Sequence, residues 1–166
     1  MVLLPAQTLA RRQDGLGEGG ERLHDWGFNS DDPPDRAIME WYARIGANIF
    51  GRTGYDHSIV NWGADGPTGA ARIPTVIVSH SVPGHIPDGG VYTFVDSIEA
   101  AFETAKQLAG DKDIYITGAD VAGQFLNWRN LDSPRPCAVR QRHISLEIIE
   151  VIQTAEAIHL RFRVVK

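Results

Sequence analysis

Apolar residues recur along this chain with two different periods. Ala37, Ile38, Trp41, Tyr42 and Ile45 follow three-and-four spacing, which predicts an amphipathic helix over about Pro34 to Gly46. Pro33 and Pro34 suit its first turn and Gly46 its stop. Ile98, Ala101, Phe102, Ala105 and Leu108 form a second stripe, predicting a helix from Ile98 to Ala109 with Ser97 as its cap and Gly110 at its end. Short extended runs, "ANIF", "TVIVS" and "VYTFV", lie between these stripes and "DIYIT" follows the second, three of them rich in β-branched and aromatic residues. "ADVAGQFLNW" predicts a further helix beside Gly118. Strand and helix thus alternate, the pattern of an α/β fold with parallel strands.

The two ends of the chain break this rhythm. Residues 1–35 lack periodicity and carry many glycines, charges and a proline pair, so they read as a long irregular segment with one helical turn at "ERLHDW". The C-terminal stretch from His143 holds two extended runs around "TAEA". There Leu160, Phe162 and Val164 alternate with Arg161 and Arg163, which predicts an antiparallel hairpin closing one side of the sheet. Residues 128–142, "WRNLDSPRPCAVRQR", fit neither pattern, because their prolines would break a strand ladder. The chain is read as one domain of 166 residues, long enough to bury a core.

Composition removes several function classes. A net charge of −5 argues against broad nucleic-acid binding, which needs a basic face. No apolar run approaches the ~20 residues of a membrane span, and the start of the chain reverses the order of a signal peptide. Cys137 is the single cysteine, so no intramolecular disulfide forms, and a reducing, cytoplasmic setting is expected. Its surroundings read as a loop. His24, His57, His80, His85, His143 and His159 show no metal-ligand spacing, and no Gly-x-Ser-x-Gly elbow occurs.

Ligands of open α/β sheets gather at the carboxyl ends of the strands. Three such ends carry suggestive residues: Gly51-Arg52-Thr53, Ser79-His80, and Thr117-Gly118-Ala119-Asp120. The first and third stand where helices begin. A helix start offers unpaired N–H groups and partial positive charge, and glycine admits close approach. Threonine adds a hydroxyl, and arginine a fork that grips phosphate. On spacing alone these features are equally those of ordinary turns. Asp25, beside Trp26, is a candidate proton donor or a solvated helix charge, and Asp31-Asp32 reads as a solvated loop.

From "GEGGERLHDW" onward the chain resembles the dihydrofolate reductase-like family. More narrowly, it resembles stand-alone bacterial relatives of the reductase domain of the riboflavin-specific deaminase/reductase. Four segments carry the likeness in order and spacing: "NIFGRTGYD", "IPTVIVSHSVP", "DIYITGADVAGQFLN" and "HISLEIIEVIQTAEAIHLRFRVV". It covers residues 17–127 and 143–165. The resemblance implies a mixed, mostly parallel sheet flanked by helices, with a C-terminal antiparallel hairpin, and NADPH as cofactor. It maps Gly51, Arg52 and Thr53 onto the phosphate-binding turn, with Arg52 favouring the 2′-phosphate. It maps Ser79 and His80 onto the adenosine side, and Gly118, Ala119, Asp120 and Val121 onto a second phosphate loop. The implied activity is hydride transfer to a small heterocyclic or carbonyl substrate, as in 5-amino-6-(5-phosphoribosylamino)uracil reduction.

Three departures from the family pattern carry expectations of their own. "MVLLPAQTLARRQDG" stands where the family opens with a strand and its substrate-side turn. The paired glycines become Thr117-Gly118, at a place where dihydrofolate reductases carry a cis peptide. Residues 128–142 replace a strand. The sheet is therefore expected to lack one or more strands. The alternative reading is a non-catalytic relative, binding cofactor or forming a homodimer through an exposed sheet edge.

Overall fold

The computed structural model describes residues 25–129, 145–155 and 157–165. The readings of the N-terminal "MVLLPAQTLARRQDG", of residues 130–142 and of Cys137 lie outside the described residues.

Helix α1 (Asp25–Phe28) and helix α2 (Pro33–Trp41) come first, and a 3-10 turn (Tyr42–Arg44) leads into strand β1 (Ile45–Gly51). Helix α3 (Arg52–Trp62) follows at once. Strands β2 (Thr75–Val78) and β3 (Tyr92–Val95), helix α4 (Ile98–Ala109), strand β4 (Asp113–Ile116) and helix α5 (Ala119–Arg129) complete the α/β unit. The four strands form one parallel sheet in the order β3-β2-β1-β4.

The sheet is covered on both faces, and β1 shows why its sequence is largely apolar, with Asn48 a buried polar residue whose Nδ2 donates to the Thr75 hydroxyl at 3.4 Å. Ala47 and Ile49 pack with Val76 against Ile98, Ala101, Ala105 and Ala109 of α4 and Val121 and Phe125 of α5. Phe50 turns to the other face and joins Ile77, with Tyr55 and Trp62 of α3. A parallel strand buried on both faces reads as a continuous apolar run rather than an alternating one. Helix α4 matches its expected limits. The Ser97 hydroxyl accepts a hydrogen bond from the Ala100 N–H at 3.2 Å, and Gly110 ends the helix at φ 59°. Leu108 is 44% exposed, and Ala109 takes its place against the sheet.

Helix α2 departs from its expected form. It ends at Trp41, and Gly46 lies inside β1 instead of stopping the helix. A Cβ at Gly46 would stand 2.7 Å from the Ala109 carbonyl oxygen and 2.8 Å from its Cα, so glycine is needed for the close approach of α4 to the strand. The buried residue of α2 is not one of the apolar stripe but Asp35, with no exposed surface.

The C-terminal hairpin forms as expected, from β5 (Leu146–Gln153) and β6 (Ile158–Val164), but as a two-stranded sheet of its own. Its cross-strand pairs explain the alternation. Arg163 faces Glu147 and Arg161 faces Glu150, while Phe162 faces Ile148 and Leu160 faces Val151. Strand β4 stands at the edge of the four-stranded sheet among the described residues. None of the helices among the described residues is long and apolar enough to cross a membrane.

Candidate functional site

Strands β1 and β4 are neighbours, so the helices that leave their carboxyl ends begin side by side. Gly51 has an extended conformation open to any residue (φ −85°, ψ 158°), yet a Cβ there would stand 2.9 Å from Cγ2 of Val121 in the first turn of α5. Its glycine is therefore required by the approach of one helix start to the other, ahead of any ligand. Gly118 has φ 99°, a region that favours glycine, with nothing within 4 Å of a built Cβ. Gly118, Ala119 and Asp120 are exposed and Val121 is buried. The Ala122 N–H donates to the Gly118 carbonyl at 2.9 Å, so the amides before it project from the helix start. Thr53, at the start of α3, is exposed. Two helix N-termini, each eleven residues of aligned dipoles behind it, thus open onto one place.

Thr117 precedes this turn. Its backbone N–H donates to the Ile49 carbonyl at 2.9 Å, tying β4 to β1, but its buried hydroxyl has no partner among the described residues. No cis peptide occurs among the described residues.

Arg52 joins the end of β1 to the loop after β2. Its Nε donates to both carboxylate oxygens of Asp56, at 2.7 and 2.8 Å, one helical turn on. Its Nη1 donates to the Ser81 carbonyl at 2.7 Å and to the Ser79 and Ser81 hydroxyls at 3.2 Å. Ser79 in turn donates to the Ser81 carbonyl at 2.6 Å. The structure therefore brings Gly51, Arg52 and Ser79 together on one side and Gly51 and Val121 on the other. His80 lies exposed beside Ser79. The Asp120 carboxylate accepts from Gln124 Nε2 at 2.9 Å.

Two features escaped the reading of the sequence. Asp56 was legible in principle, since arginine and aspartate four apart on a helix face each other. The second is a buried polar cluster at Asp35. Ser30 donates to it at 2.6 Å, His159 of β6 meets it at 2.9 Å, and Trp26 stands edge-on to the His159 ring at 4.6 Å. Burial alone would raise the Asp35 pKa, but hydrogen bonds from Ser30, His159 and Thr154 and the His159 charge outweigh it, and the net shift is downward. Asp35 and His159 are 124 positions apart, and no local pattern links them. Asp25, the acid singled out in the sequence, accepts a hydrogen bond from Asn29 at 2.8 Å and is not the buried carboxylate of this region. Of the Asp31-Asp32 pair, Asp31 pairs locally with Arg36, whereas Asp32 accepts from the Ala155 N–H of the hairpin turn at 3.4 Å. No group of metal-ligating side chains occurs among the described residues.

This fold, a parallel sheet with helices on both faces and a separate C-terminal hairpin, is similar to that of two solved structures. Acinetobacter baumannii RibD superposes with a TM-score of 0.51 at 14% identity, over 80% of this chain and 50% of that one. A protein of Shewanella sp. PV-4, provisionally named a riboflavin biosynthesis protein, superposes with a TM-score of 0.52 at 17% identity, over 86% of this chain and 88% of that one. This chain therefore spans half the length of the Acinetobacter protein. No protein-family model matches the chain, and no curated protein matches it. The likeness is one of fold.

Proposed function

We propose that the cleft between the starts of α3 and α5 binds the phosphates of NADPH, and that the protein is a reductase of a small heterocyclic or carbonyl substrate. The observation that carries this reading is the pair of helix N-termini meeting at adjacent strand ends. The donor set fits the cofactor: projecting amides at both helix starts, the Thr53 hydroxyl, open space where a Cβ would stand at Gly118, and a guanidinium beside two serines. The fold it shares with proteins named for riboflavin biosynthesis supports the same reading, and a pyrimidine of that pathway is the substrate class it suggests.

When bound, the cofactor supplies the hydride. The protein's part is to bind and to position. Backbone amides of α3 and α5 hold the phosphates. Asp120 contributes through its N–H, since Gln124 engages its carboxylate. Arg52 links the β1 and β2 ends, and Ser79 and His80 flank the adenosine side.

A second reading is a module that binds cofactor without turnover. Binding and turnover separate the two. NADPH should quench tryptophan fluorescence saturably, and Arg52→Ala should raise Kd severalfold by releasing the Ser79–Ser81 loop from the end of β1. Loss of reduced-nicotinamide absorbance on adding pyrimidine or carbonyl compounds supports the reductase. Binding without oxidation supports the module, and no binding by the folded protein removes both.

A further inference from the structure

We propose that Asp56 is a specificity-determining residue that limits how strongly this site distinguishes a 2′-phosphorylated dinucleotide from its 2′-hydroxyl counterpart. The inference rests on the cleft being a dinucleotide site, as proposed above.

Arg52 is the cation that the resemblance assigns to the 2′-phosphate, but its guanidinium is already engaged. Both Nε contacts go to the Asp56 carboxylate, at 2.7 and 2.8 Å. The Nη1 contacts go to Ser81 and Ser79. That leaves Nη2 as the nitrogen without a protein partner among the described residues. A 2′-phosphate carries close to two negative charges and is best held by a bidentate fork. Here it would meet a single free edge of a cation whose charge is balanced by a carboxylate at contact distance. The pair is part-exposed, with 30% of the Arg52 and 46% of the Asp56 side chain accessible, so the repulsion is screened but present. The carboxylate also has a function in place: it fixes Arg52 against the Ser79–Ser81 loop. The geometry thus favours a firm link between the β1 and β2 ends over a strong grip on the extra phosphate.

The test is calorimetric, with two small probes that differ only in that group, 5′-AMP and adenosine 2′,5′-bisphosphate. Wild-type protein should bind the two with Kd values within about threefold. Asp56→Asn keeps the size and removes the charge. It should tighten the bisphosphate about tenfold and leave 5′-AMP within about twofold, as expected for one like charge removed from a part-exposed site. Asp56→Glu, which restores the charge, should behave as wild type. The proposal is overturned if wild type already prefers the bisphosphate tenfold or more, or if Asp56→Asn leaves its affinity unchanged or weakens it. Should neither probe bind the folded wild-type protein or either variant, the dinucleotide reading itself fails, and this proposal with it. That outcome differs from one in which both probes bind and the charge of Asp56 has no effect.

Discussion

Replacing Asp35 with alanine should lower the unfolding free energy by about 3–5 kcal/mol, the usual cost of removing one partner from a buried charged cluster. Asp35 has no exposed surface, and Ser30, Thr154 and His159 all direct polar groups at it. The truncation leaves a void beside them and removes the carboxylate that Ser30 and His159 hydrogen-bond. It also removes one tie to the hairpin, because His159 lies on β6 and Asp35 on α2. The pH dependence identifies the cause. The folded-state pKa of Asp35 lies below its ordinary value of 3.8. A depressed carboxylate contributes stability that is fully present above the unfolded pKa and is lost as pH falls through the folded one. Urea unfolding at a series of pH values should therefore show the largest gap between wild type and Asp35→Ala at neutral pH. The gap should persist down to about pH 4 and narrow below it. A gap independent of pH would assign the loss to packing alone.

Gly46→Ala should be the second severe change. The new methyl would sit 2.7 Å from both the Ala109 carbonyl oxygen and Cβ of Lys112, and 2.8 Å from the Ala109 Cα. Backbone cannot swing aside as a side chain does, so α4 or β1 must shift, at a cost of about 1–3 kcal/mol or more. Gly54→Ala is the contrast. It lies on the exposed side of α3, where the nearest atom to a built Cβ is Phe50 Cδ1 at 4.0 Å. Alanine there should stabilise by about 0.4–1 kcal/mol, through helix propensity and a less free unfolded chain. Thermal unfolding of the two variants should move in opposite directions.

The contrast between these glycines explains which parts of the fold were legible. Helix α4 could be read to the residue, because its cap, stripe and stop are all local. The strands of the sheet were legible because each is a short apolar run. Gly46 misled because its reason is Ala109, at the end of a helix far along the chain, not the end of its own helix. Gly51 was read as space for a phosphate. In the structure that space is taken first by Val121, which aligns the two helix starts. Arg52 was found as a cation, but its partners Asp56 and Ser81 decide what it can hold. The apolar alternation of the hairpin was correctly seen, but alternation does not say what a face packs against. Ile148, Val151 and Leu160 are about half exposed. The Asp35–His159 contact joins opposite ends of the chain and leaves no pattern in either.

Calorimetric titration of NADPH into wild-type and Ala119→Glu proteins tests the phosphate cleft most directly. Ala119 is an exposed residue at the start of α5. Glutamate there suits the helix dipole, so the variant should fold with an unchanged or higher Tm. Its carboxylate would occupy the place proposed for a phosphate and repel it. Wild type should bind NADPH saturably, and the variant at least about tenfold more weakly. Equal affinity of the two proteins, or no saturable binding by folded wild type, would contradict a phosphate site at the starts of α3 and α5.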